Sequence, residues 1–114
     1  MIVELTRFRV KPGMSHKVDE WLKFLNDNMG GVLLTLEREK MYVEIIFREE
    51  LNGEEYLYWY SVQGEQGENV ETSNYKIDKK HLEYWEQCID PSFCSKDLAT
   101  EVVMIPKKLQ AIMK

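Results

Sequence analysis

The sequence predicts an α+β sandwich, an antiparallel four-stranded sheet with two helices on one face, in the order β-α-β-β-α-β. Three observations carry that prediction. Short β-branched and aromatic runs at 2–10, 41–48 and 55–62 alternate with apolar stripes of helical period. Leu51-Asn52-Gly53 links two of those runs with residues that tolerate positive φ, as a tight hairpin requires. At 114 residues and 44% apolar content, the chain has material for one core and belongs to the ordinary globular class.

The first strand, residues 2–10, ends at Lys11-Pro12-Gly13. Met14, Val18, Trp21, Leu22, Leu25 and Met29 then form one helical stripe, with Ser15 as expected N-cap and Gly30-Gly31 as expected C-cap. The spacing carries on through Val32, Leu33 and Leu36, so Val32–Lys40 reads as a second helical piece rather than a strand. Met41–Arg48 and Glu55–Val62 are the two strands of the hairpin. Residues 63–74 are polar and read as a surface segment. Asp78 is the expected N-cap of the next helix, with Ile77 and Leu82 as its staple and Leu82, Trp85 and Ile89 as its buried stripe. Asp90-Pro91 ends it. Ala99–Ile105 is the expected last strand, closed by Pro106, and Lys107–Lys114 a short amphipathic tail. This order is the ferredoxin-like plan. We expect one domain over 1–114, with core 2–105 and tail 106–114.

Charge and composition exclude several functions. A net charge of −5 argues against nucleic acid as a partner. The uncharged run from Gly30 to Leu36 is far too short to span a bilayer, so no membrane association is expected. Met1 leads straight into a charged strand without an apolar leader, and Cys88 and Cys94 make no disulfide framework. The cytoplasm is the expected compartment. Neither a phosphate-cradling glycine loop nor a nucleophile elbow occurs.

The hairpin carries large side chains on both faces. Met41, Val43, Ile45 and Phe47 read as one apolar face, opposite Tyr42, Glu44, Ile46 and Arg48. Leu57, Trp59 and Ser61 oppose Tyr56, Tyr58, Tyr60 and Val62. Helices cover one face of such a sheet, so a monomer would leave an aromatic patch in water. A homodimer is therefore expected. The plainer reading is a set of tyrosines exposed on strands.

The segments Arg7–Gly13, Tyr42-Val43-Glu44, Tyr56–Tyr60 and Ile77–His81 resemble a family of small uncharacterised bacterial domains. That family is similar to the dimeric α/β-barrel superfamily, in which two ferredoxin-like sheets pack face to face. The resemblance covers residues 2–105 and implies a fold and a dimer, but no reaction. Superfamily relatives include haem-degrading enzymes that use a helix histidine, a strand tryptophan and a first-strand asparagine. His81 and Trp59 match the first two, but Ile2–Val10 contains no asparagine. Other relatives are cofactor-free oxygenases.

Two residue types stand out as chemistry. His81, in the first turn of a helix, is favoured as a neutral ring by the helix dipole. It is a candidate base or ligand, against the plainer reading of a half-buried histidine bonded to backbone or to Asp78. Glu44 is a candidate carboxylate base in a pocket lined by Tyr42, Tyr58 and Trp59, with Arg7 and Arg9 as an anion clamp. Cross-strand ion pairing is the plainer reading of those charges. Cys88 and Cys94 lack zinc spacing, so Cys88 reads as a core cysteine, Cys94 as a loop thiol, and no metal or cofactor is expected. Three functions stay open: a dimer binding a small aromatic or acidic ligand, an oxygenase- or isomerase-like enzyme, and a structural or interaction dimer.

Overall fold

The computed structural model describes residues 1–65, 67 and 76–113. The elements run β1 (Ile2–Arg9), α1 (Ser15–Asp27), α2 (Met29–Glu39), β2 (Met41–Leu51), β3 (Glu54–Gln63), α3 (Lys76–Cys88), β4 (Lys96–Asp97) and α4 (Lys107–Ile112). One antiparallel sheet has the order β2-β3-β1-β4. This is the α+β, ferredoxin-like class expected from the sequence.

Strand parity assigns each side chain to a face. Phe8 pairs with Leu57, Thr6 with Trp59 and Glu4 with Ser61, and Ile46 and Glu44 lie opposite Trp59 and Ser61. These residues face the helices. Val18 and Trp21 of α1 and Tyr84 and Cys88 of α3 close on Leu57 and Val10 to form the core. Phe8, Trp59 and Trp85 pack against it, with Phe8 and Trp85 rings 4.6 Å apart in an edge-on contact. The other face carries Leu5, Arg7, Tyr58, Tyr60, Ile45 and Phe47, and among the described residues no helix covers it.

The hairpin turn forms as its residues require. Asn52 and Gly53 both have positive φ, 54° and 79°. At the other end of β2 the pairing slips. Met41 lies opposite Gln63 and Val43 opposite Val62, so Tyr42 is an extra, bulged residue. The bulge corrects the expected apolar face: Val43, Ile45 and Phe47 share the open side, while Met41 turns toward the helices with Glu44.

Several sequence expectations are overturned locally. Gly30 and Gly31 do not cap the first helix. Asn28 does, and both glycines lie inside α2, where a Cβ at Gly31 would collide with Ile77 Cδ1. Ser15 is the first helical residue rather than the cap, and its Oγ accepts from Arg48 at 3.0 Å. Asp78 lies inside the first turn of α3. The last strand is Lys96–Asp97, not Ala99–Ile105. Thr6 Oγ1 donates to Asp97 at 2.7 Å and pins the pairing there. Leu98 and Thr100 still bond β1 at Leu5 and Val3, and beyond them the chain leaves the sheet. Most of the polar segment 63–74 lies outside the described residues.

Candidate functional site

The helix-facing side of the sheet is not filled throughout. Between β1, β2, β3 and helices α1, α2 and α3 lies a cavity of about 880 Å³, within the size range of small-molecule sites. Trp59, Trp85 and Phe8 supply its aromatic surface, and Glu44, Asp78 and His81 its main polar groups.

The sheet register puts Glu44 there. Glu44 follows the bulge, pairs with Ser61 and lies one step from Trp59. Burial raises its carboxyl above the ordinary carboxylate range, the Trp59 indole pulls it back, and the negative charge of Asp78 raises it further. Asp78 is buried and its carboxylate is 3.4 Å from the Arg38 guanidinium. Glu39, the last residue of α2, also lines the cavity. Its carboxyl is pushed up to about 7, first by burial, then by the negative charges of Glu44 and Asp78, against the pull of Arg38.

His81 has a partner that the sequence did not indicate. The indole Nε1–H of fully buried Trp21 donates to His81 Nδ1 at 3.0 Å. An indole nitrogen can only donate, so Nδ1 must be the bare nitrogen of the ring, and in neutral imidazole the proton then sits on Nε2. Burial lowers the His81 pKa, with Asp78 opposing. His81 therefore stands at the cavity as a fixed Nε2–H donor. Acting there as a base or a metal ligand through Nε2 requires breaking the Trp21 bond. The expected bond to backbone or Asp78 is replaced by this one, and a contact between residues 60 apart in sequence leaves no local signature.

The structure divides the remaining predicted site residues. Glu44, His81 and Trp59 meet at the cavity, with Trp59 and His81 rings 5.7 Å apart. Tyr58, Arg7 and Arg9 lie on the opposite face, because they occupy the other parity of β3 and β1. Arg7 stacks over Tyr56 and Phe93, Arg9 forms an ion pair with Asp90 at 3.0 Å, and Tyr58 Oη donates to Glu49 at 2.6 Å. Tyr42 is the bulged residue, its hydroxyl beside Gly64. A single pocket holding all of these side chains is thus corrected to two faces of one sheet. Cys88 is buried in the core and Cys94 exposed.

Sequence reasoning missed Glu39 and Asp78 as cavity residues. Glu39 left one signal, a carboxylate at the end of an apolar helix directly before a strand.

Comparison with known proteins bears on the fold. The model of a family described as "Family of unknown function (DUF6176)" matches residues 1–111. No protein of curated function matches the chain. The crystal structure of an L-rhamnose mutarotase from Formosa agariphila superposes with a TM-score of 0.53, covering 93% of this chain and 99% of that one at 13% identity. At that identity the likeness speaks for the fold alone. No helix among the described residues is long and apolar enough to cross a membrane.

Proposed function

The chain belongs to the DUF6176 family of unknown function. From that premise we propose that it binds a small, uncharged, hydroxyl-bearing molecule in the cavity between sheet and helices, and that Glu44 exchanges a proton with it. One observation carries the reading: a carboxyl raised by burial and a histidine fixed as an Nε2–H donor line the same aromatic-walled cavity. A group able to take or give a proton beside a fixed donor suits proton transfer at a hydroxyl or next to a carbonyl. Trp59 and Trp85 offer flat apolar faces for a ring.

The charge of the cavity narrows the ligand class. Glu4, Glu39, Glu44 and Asp78 line it, and no lysine or arginine does so among the described residues. The nearby cation, Arg38, is already paired with Asp78, so an anion would meet an excess of carboxylates, and the acidic ligand among the sequence expectations is set aside in favour of a neutral one. The structural neighbour acts on a neutral sugar by its name, which makes L-rhamnose a reasonable first probe.

The uncovered sheet face supports the homodimer. Ile45, Phe47 and Leu51 are exposed on it, Arg7 Nε is buried without a hydrogen-bond partner, and Lys96 sits directly opposite Arg7 in register. Like charges side by side and an unsatisfied donor are costly unless an outside carboxylate meets them. In this reading the two faces of β3 divide the work, with Trp59 toward the ligand and Tyr58 and Tyr60 toward the second copy.

The test is titration of the protein with L-rhamnose, other neutral monosaccharides and their uronic acids, followed through the tryptophan indole N–H signals. Saturable shifts with a neutral probe, and anomer exchange that Glu44→Gln slows at least tenfold while binding persists, are expected. Binding of the uronates in preference to neutral sugars, or no shift with any probe, would overturn the reading.

A further inference from the structure

The chain is tied to its sheet as far as residue 100. Leu98 N–H donates to Leu5 O at 2.8 Å, and Thr100 Oγ1 to Val3 O at 3.2 Å. Beyond that point, among the described residues, no hydrogen bond joins 101–113 to the rest of the molecule. The bonds of this segment are its own, such as Gln110 Nε2 to Ile105 O at 2.6 Å. Most of its side chains are nevertheless apolar. Val102, Met104 and Ile112 are 72%, 87% and 74% exposed. Ile105 and Met113 are partly buried, but most of the arm's apolar surface stays in water, which a surface outside this copy would cover.

We infer that residues 101–113 clasp a second copy of the chain, crossing to the β2 edge and acidic hairpin of the partner. The inference rests on the dimer reading above and adds to it the arm as a clamp. Three observations select a second copy. Among the described residues β2 pairs only with β3 and is the edge of the sheet, and Ile45, Phe47 and Leu51 are exposed along its open side. That is an apolar strip for an apolar arm, and a two-fold axis gives each copy the same pair of surfaces and closes the assembly.

The charges also match. The arm carries Lys107 and Lys108, and the hairpin carries Glu50 and Glu54, whose side chains form no hydrogen bond or ion pair among the described residues. The reach is sufficient as well. Residues 101–106 span up to about 20 Å when extended, against roughly 10 Å between stacked sheets.

The experiment measures the dimer dissociation constant of the full chain by sedimentation and light scattering on dilution. The paired substitution Val102→Asp with Met104→Asp should weaken the dimer at least tenfold. Both positions are exposed in one copy, so circular dichroism should stay that of the wild type. Lys107→Glu with Lys108→Glu should weaken it severalfold, and adding Glu50→Lys with Glu54→Lys should restore affinity. A dimer as tight with the two aspartates as without them overturns the clamp and leaves the sheet-face dimer standing. A wild type that is monomeric throughout the micromolar range overturns both.

Discussion

Glu39→Gln should make the protein more stable at pH 8 and leave its stability unchanged at pH 4. The carboxyl titrates at about 7 in the folded chain against an ordinary 4.5. A raised folded pKa means that the native state holds its proton more tightly than the unfolded state does. The stability it contributes is complete below about pH 4.5 and is lost as pH rises through about 7. A gap of about 2.5 pH units, at about 1.4 kcal/mol each, sets an upper bound of about 3.5 kcal/mol. Glu39 is only partly buried, and solvent screening reduces that to about 1–2 kcal/mol. Glutamine keeps the shape and never ionises, so the variant avoids this loss. For a chain of this length each kcal/mol moves the melting temperature by about 3–6 °C. Thermal melts of both proteins at pH 4, 6 and 8 and constant ionic strength should therefore coincide at pH 4 and separate by about 3–12 °C at pH 8. A variant that is less stable at pH 8, or shifted equally at every pH, would show that Glu39 is not a buried, proton-holding carboxyl.

Two further changes test the geometry beneath the site. Trp21→Phe keeps most of the core volume and deletes the indole N–H, leaving His81 Nδ1 buried without its donor. It should cost about 2–4 kcal/mol, and it should raise the His81 pKa, because protonated Nδ1 no longer opposes an N–H. Nitrogen-15 spectra of the imidazole across pH, with an unmoved His81 titration, would refute the tautomer assignment. Gly53→Ala places a Cβ at φ 79° and should cost about 1 kcal/mol in chemical denaturation. A neutral result would mean that the turn relaxes without strain.

How much of this was legible in the sequence depends on the range of the interaction. The helical stripe through Val18 and Trp21, the hairpin at Asn52-Gly53 and the strand character of 41–48 are local periodicities, and the structure keeps them. The last strand failed because Val102, Val103 and Ile105 have β-forming side chains, whereas pairing also needs a partner, and the edge of β1 away from β3 pairs in register, among the described residues, only with Lys96–Asp97. The expected pocket failed in part for a related reason. Face assignment needs register, and no residue type announces a bulge at Tyr42. Glu44, Trp59 and His81 were singled out by their chemistry and do meet, but Glu39 and Asp78 join them through the packing of α2 and α3, which composition does not encode.

The bulge sets a rule for chain length between residues 41 and 63. Substitutions there change one side chain on one face. Inserting or deleting a single residue between Tyr42 and the turn would reverse every side chain on one side of the change, sending Glu44 out to the open surface of the sheet or Phe47 in among the helices. A two-residue change would preserve parity and only shorten or lengthen the ribbon. Tyr42 itself is the one position where removal restores regular pairing, because Met41 opposite Gln63 and Val43 opposite Val62 then follow strict alternation, with Met41 and Glu44 both kept on the cavity side. This hairpin should thus tolerate many replacements of residue type and even-numbered changes of length, while single-residue insertions and deletions would dismantle the site.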